Sequence, residues 1–179
     1  MNLSSPLAQG YDVRTRALHW LTAALVIGLW SLGQTIDWFP KGSPRGVARS
    51  IHIVLGVVLA LVLIRRIWWR LSDGVHLPRS PGSALDAIAG LTHKLLYLLL
   101  LATIVLGIAN AWIRGDTLFM VLKIPAFDPG NASLKELVED LHSWAANTLL
   151  IVAGLHAAAA LLHHFVLKDD ILRRMLPRR

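Results

Sequence analysis

Leu137 to Val166, LVEDLHSWAANTLLIVAGLHAAAALLHHFV, is the stretch whose reading decides the fold. It carries His142 and His156, fourteen residues apart. On a helix that interval puts both imidazoles on roughly the same face, about 21 Å apart along the axis. A run this long and apolar is able to cross the roughly 30 Å hydrocarbon core of a bilayer. A helix with one imidazole near each end of its span can serve two metal centres stacked across a membrane, provided other helices bring the opposing ligands.

Three further apolar stretches, about residues 16–37, 50–70 and 87–112, join the one at 137–166. The chain has 179 residues, 55% of them hydrophobic, with a mean hydropathy of +0.55, above the apolar share of a soluble domain. These four helices use more than half of the chain. Residues 1–179 therefore read as a single all-α membrane domain, a four-transmembrane-helix bundle in the lipid bilayer. The net charge of +7 does not point to nucleic acid, because the basic residues sit in loops beside the spans. Eleven Lys and Arg fall in the N-terminal tail, the loop between spans two and three (Arg79 included) and the C-terminal tail (Arg178 and Arg179 included), against six in the two other loops. The positive-inside rule then places both termini in the cytoplasm. The first apolar run is too long for the core of a cleavable signal and reads as a signal anchor. With no cysteine, disulfides, thiol catalysis, cysteine-ligated clusters and thioether-linked haem are excluded.

An ionisable residue inside a span is a functional hypothesis by default, and depth tests it. His52 and His142 each lie about one turn inside the outer end of their spans. His19 and His156 lie about 17 and 18 residues from the outer ends of theirs. Two depth-matched pairs result, His52 with His142 and His19 with His156, drawn from three helices. Such bis-histidine pairs suit two b-type haems, whose iron accepts a nitrogen from each side of the ring. Any one of these histidines alone is better explained as an interfacial residue bonded to backbone or water; the quartet is not. A single zinc site would need its ligands within about 2 Å of the ion, which the interval between His142 and His156 forbids.

His163 shares the His156 face, about 10 Å closer to the cytoplasm, and suits a haem propionate or a quinone carbonyl as well as it suits interfacial water. His164 reads as interfacial and His76 as a solvated loop residue. His93, beside Lys94, has no partner at its depth and reads as part of a snorkelling polar pair. Gly56, one turn after His52, leaves room for a flat group or for close helix packing. Arg65, Arg66, Trp68 and Trp69 read as an inner interface anchor, and Trp38 as an outer one. Lys41, Arg45 and Arg49 face only Asp37 in the first outer loop, with Arg114 nearby. That patch would either steer a small anion to the outer metal centre or bind headgroups.

His19 in A-L-H-W-L, His52 in S-I-H-I-V-L-G, and G-L-H-A-A-A-A-L-L-H-H followed by K-D-D-I-L-R-R-M-L-P-R resemble the bacterial cytochrome b-561 family. Trp38-Phe39-Pro40-Lys41 and Arg114-Gly115 also fit its pattern, and the similarity covers nearly the whole chain from about residue 11. The resemblance implies a di-haem b protein of the bacterial inner membrane, with His19, His52, His142 and His156 as ligands. The members it most resembles are superoxide oxidases, which implies electron transfer from superoxide at the outer face to ubiquinone. Other relatives are cytochrome subunits of hydrogenases and dehydrogenases that serve a periplasmic protein partner. No large appended docking segment is evident, which favours the self-contained enzyme. A haem-free transporter of protons or metal is the reading from a third class.

Overall fold

In the computed structural model, residues 10–75 and 84–176 are described, with the side chains of 84–86 left aside. His76, Arg79, Arg178 and Arg179 lie outside the described residues. Four helices dominate: α1 (Val13–Thr35), α2 (Ser43–Ser72), α3 (Ala84–Arg114) and α4 (Ala132–Leu162). All four are long and apolar enough to cross a membrane. The expected spans 50–70 and 87–112 sit inside α2 and α3, whereas those at 16–37 and 137–166 run on past α1 into a 3-10 turn (Ile36–Trp38) and past α4 into a π turn (His163–Leu167). α4 begins at Ala132, before the apolar run that opens at Leu137.

Each boundary has a local cause. Asp12 caps α1, accepting from the Thr15 N–H at 2.9 Å and the Thr15 hydroxyl at 2.6 Å. Its carboxylate also accepts from Trp69 Nε1 at 3.1 Å, which ties the start of α1 to the end of α2. Burial would raise the Asp12 carboxyl, but hydrogen bonds from Thr15, Trp69 and the Val75 N–H outweigh it and hold the group at about 2. Pro44 opens α2 within its first turn, where a missing N–H costs nothing. Gly115 ends α3 at φ +65°, and a Cβ there would meet Ala126 Cβ at 2.6 Å, so both backbone angle and space require glycine. Asn131 caps α4 by accepting from the Leu134 N–H at 3.0 Å.

Between α3 and α4 lies a small antiparallel hairpin, β1 (Thr117–Leu118) with β2 (Leu122–Lys123). Its turn residues Phe119 and Met120 both have positive φ, as a tight hairpin turn demands. The Phe119 N–H donates to the fully buried Ser50 hydroxyl at 2.8 Å and so fastens the hairpin to α2.

α1 packs chiefly on α2 and α3 on α4, with α2 on α3 and α1 on α4 closing the ring. Trp30 Nε1 donates to Asn147 Oδ1 at 2.8 Å across the α1–α4 seam. Leu29, Leu59, Leu63, Leu100 and Leu149 form the buried core. Most other large apolar side chains point outward: Leu61 is 61% exposed, Ile151 64% and Leu155 66%. An outward apolar surface of this kind matches lipid and not water. The first and last described segments, around Tyr11 and Arg174, lie at one end of the bundle, the terminus end. There Tyr11 N–H donates to the Arg174 carbonyl at 3.2 Å, Arg16 Nη1 to the Leu176 carbonyl at 2.6 Å and Trp20 Nε1 to the Met175 carbonyl at 2.8 Å.

Candidate cofactor sites

The two histidine pairs face each other across the bundle, one on either side of the leucine core. At the loop end, His52 on α2 and His142 on α4 have ring centroids 6.2 Å apart and planes at 84°. At the terminus end, His19 on α1 and His156 on α4 stand 6.5 Å apart at 70°. An imidazole nitrogen binds a metal at about 2 Å, and the ring centroid lies about 1 Å behind that nitrogen, so two imidazoles on opposite sides of one ion place their centroids about 6 Å apart. Both pairs have that separation.

The loop-end pair is seated against two glycines. A Cβ on Gly33 of α1 would lie 3.3 Å from His52 Cε1, and one on Gly107 of α3 would lie 3.0 Å from His142 Cε1. Each ring therefore occupies the space where a neighbouring helix has no side chain. Gly56 lies in the same cavity, of about 220 Å³, with open space beyond its missing Cβ. His142 Nδ1 is 3.0 Å from the Thr103 carbonyl. A carbonyl only accepts, so Nδ1 carries the proton and Nε2 keeps the lone pair that a metal needs. The Leu29 carbonyl approaches His52 without closing a hydrogen bond, and His52 Nδ1 is buried with no partner. These two imidazoles, with a glycine-walled gap beside them, fit a flat metal-bearing ring.

Polar groups frame the mouth of this cavity. Arg49 on α2 and Arg114 at the end of α3 both reach Asp116, at 3.5 and 3.8 Å. Arg114 also pairs with Glu139 at 2.7 Å. Burial pushes the Asp116 carboxyl above its ordinary range against the pull of Arg114 and Arg49. Arg49 and Arg114 line the cavity. Arg45 instead turns to the end of α1, pairing with Asp37 at 3.2 Å and donating to the Asp37 and Phe39 carbonyls. Lys41 is exposed and is not part of the cavity wall. The basic patch is thus half answered by carboxylates that loop composition alone did not reveal.

The terminus end is more polar. His93 on α3 lies 5.2 Å from His156 between ring centroids, with Nδ1 2.8 Å from the Ala89 carbonyl. The expectation that His93 lacks a partner at its depth is therefore corrected. α3 runs antiparallel to α4 with Gly107 opposite His142, so the position fourteen residues earlier on α3 falls opposite the one fourteen later on α4, His156. The same holds for α1 and α2: Gly33 faces His52, and fourteen residues on, His19 faces Arg66. Arg66 Nη2 lies 3.1 Å from His19 Nδ1. It was expected as a snorkelling arginine, yet it turns into the bundle. Arg65 does stay at the interface, 5.5 Å from the Trp69 ring, whose other neighbour is Arg14 at 4.7 Å.

Beyond α4 the chain makes one π turn, His163–Leu167, and Lys168 ends it in the left-handed region. The turn brings His163 Nδ1 onto Asp169. Burial works against ionisation of Asp169, but hydrogen bonds from His163 and the Ile171 N–H, with the charge of Arg174, hold its carboxyl below the usual range. His164 packs edge-on to Phe165 at 4.8 Å. No described carboxylate forms an ion pair with Lys94, which is exposed.

Comparison with known proteins agrees with this architecture. The family model for prokaryotic cytochrome b561 matches residues 10–178. Cytochrome b561 homolog 1 of Escherichia coli (strain K12) is 34% identical over 166 residues, covering 90% of this chain and 94% of its own. A Yersinia pestis protein described as probable superoxide oxidase CybB is 33% identical over 171 residues, covering 94% and 97%. Cytochrome b562 of Cereibacter sphaeroides is 31% identical over 172 residues, covering 93% and 95%. With four helices fit to span a membrane and histidine pairs spaced for a metal-bearing ring, the chain belongs to the prokaryotic cytochrome b561 family, a membrane cytochrome that binds b-type haem.

Proposed function

We propose that this cytochrome is a di-haem oxidoreductase that takes electrons from superoxide at the loop end and delivers them to ubiquinone, with the loop end periplasmic and both termini cytoplasmic. The observation that carries the reading is the pair of imidazole pairs, 6.2 and 6.5 Å between centroids, set fourteen residues apart on α4. When bound, haem supplies one-electron chemistry at iron. His52 and His142 would hold one haem, His19 and His156 the other. Gly33 and Gly107 leave the space that the His52 and His142 rings fill, and the Thr103 carbonyl fixes which nitrogen of His142 is available.

Superoxide is a small anion that loses one electron to become O₂. Arg49 and Arg114, in the cavity wall beside His52 and His142, raise its local concentration. Asp116 and Glu139 hold those guanidiniums in place and temper the field. Ubiquinone needs two electrons and two protons, so two superoxide ions are consumed for each quinol. His163, backed by Asp169 at the terminus end, is placed to pass protons from the aqueous side. The relative described as a probable superoxide oxidase supports the choice of donor.

A second reading, an electron-carrying subunit for a periplasmic dehydrogenase or hydrogenase, draws on the exposed apolar hairpin at the loop end, where Val121 is 87% and Leu122 64% exposed. One experiment separates the two: a reduced-minus-oxidised spectrum of the purified chain, with haem counted per chain, before and after superoxide. Two b haems promptly reduced by superoxide, then reoxidised by added ubiquinone, are expected. Two haems indifferent to superoxide would refute the enzyme and leave the subunit reading. No haem in folded protein would refute both.

A further inference from the structure

Arg66 has no part in the electron path above, yet it stands in the wall of the terminus-end site. Its guanidinium is 3.1 Å from His19 Nδ1 and 5.2 Å from the Tyr97 ring centroid. Among the described residues no carboxylate lies within ion-pair distance of it. A guanidinium cannot lose its proton in a protein. A permanent cation turned into a membrane-spanning bundle is costly unless an anion answers it.

The helix register makes its placement informative. At the loop end the position facing each imidazole on the neighbouring helix is a glycine, Gly33 or Gly107. At the terminus end the equivalent position facing His19 is Arg66. A fixed positive charge is thus built into one ring site where the other has only space. Proton placement adds a second constraint. Arg66 only donates, so while it bonds Nδ1 of neutral His19, the ring proton sits on Nε2 and blocks that nitrogen as a ligand. For Nε2 to bind iron, Arg66 has to release His19, and with Tyr97 as its one remaining side-chain partner among the described residues the guanidinium has donors left for another acceptor. A carboxylate suits it best, because two parallel N–H groups match two carboxylate oxygens.

We infer that Arg66 binds a propionate carboxylate of the haem held by His19 and His156. The inference rests on the di-haem reading proposed above. It makes Arg66 a cofactor-binding residue that both anchors this haem and raises its potential, since a nearby cation favours the added electron.

The test is titration of haem-depleted full-length protein with haemin, for wild type, Arg66→Gln and Arg66→Lys, followed by redox titration of the loaded chains. Arg66→Gln should weaken one of the two binding events about tenfold or more, the scale of a lost charged hydrogen bond. It should also lower the midpoint potential of that haem and leave the other unchanged. Arg66→Lys should keep the potential, because the charge remains, but bind haemin more weakly, because the paired N–H geometry is gone. Wild-type affinity and potentials in Arg66→Gln would overturn the inference. If Arg66→Gln does not fold, Arg66→Lys decides alone, and unchanged haemin affinity in it would overturn the inference. A His156→Ala chain with full haem content would instead refute the di-haem reading beneath it.

Discussion

Replacing Gly107 by alanine tests the loop-end site with a single carbon. The added Cβ would lie 3.0 Å from His142 Cε1 and 3.3 Å from Nδ1. Carbon atoms pack best at about 3.5–4.0 Å, so the imidazole must retreat by about half an ångström or more. Its Nδ1 bond to the Thr103 carbonyl, now 3.0 Å, would be stretched or lost. Overpacking of this kind costs about 1–3 kcal/mol, and losing the orienting bond adds about 1 kcal/mol. Together they weaken haem at this site by roughly thirtyfold to a thousandfold. Gly33→Ala meets His52 Cε1 at 3.3 Å and should cost less. Gly154→Ala, with nothing within 4 Å of the new carbon, should cost nothing. Haem counted per purified chain, with thermal unfolding as the folding control, checks the order. Full haem content in Gly107→Ala, or equal loss in all three variants, would refute the seating of the imidazoles on glycine.

Three other perturbations address separate parts of the molecule. His52→Ala should halve the haem content and leave the terminus-end haem spectroscopically intact; loss of both haems from folded protein would contradict the pairing. Arg49→Gln and Arg114→Gln should each slow haem reduction by superoxide several-fold at low ionic strength while leaving haem content unchanged, and the difference from wild type should shrink as salt rises; stopped-flow at two salt concentrations measures it. Asp12 has its carboxyl held at about 2 against an ordinary 3.8. A carboxyl depressed in the folded state stabilises it above the unfolded value, and that contribution is lost as pH falls through the folded one. Wild type should therefore lose stability between about pH 4 and pH 2, and Asp12→Asn, which keeps the helix cap, should lack that part of the loss in melts across the range.

The architecture and the four histidines were legible because they depend on one helix at a time. Apolar length marks a span, and a rise of 1.5 Å per residue turns sequence interval into depth. What faces a histidine from the next helix depends on register between helices, and no interval within one helix carries that. Gly33 and Gly107 therefore carry no mark in the sequence, and Arg66 reads as part of an interface anchor. His93 read as unpartnered for the same reason: what brings it to His156 is the register of α3 on α4. Asp116 went uncounted beside Arg49, and Glu139 beside Arg114, because each partner comes from a different loop or helix.

One signal for these contacts was present all the same. In an antiparallel pair, moving fourteen residues along one helix is matched by moving fourteen back along the other. His19 and Gly33, His52 and Arg66, His93 and Gly107, and His142 and His156 are all fourteen apart. Once one contact per pair is known, the interval gives the second. On the di-haem reading proposed above the repeat has a physical reason: two flat groups stacked across one bundle need two layers, and each helix contributes one position to each layer. The layers differ in what surrounds the imidazoles, glycine at the loop end and Arg66 with His93 at the terminus end. Equal spacing with unequal neighbours gives two sites of the same shape in different electrostatic surroundings. On the di-haem reading proposed above, the fixed charge of Arg66 beside the terminus-end pair makes that site the better resting place for an electron, and flow from the loop end toward the termini is what that reading expects.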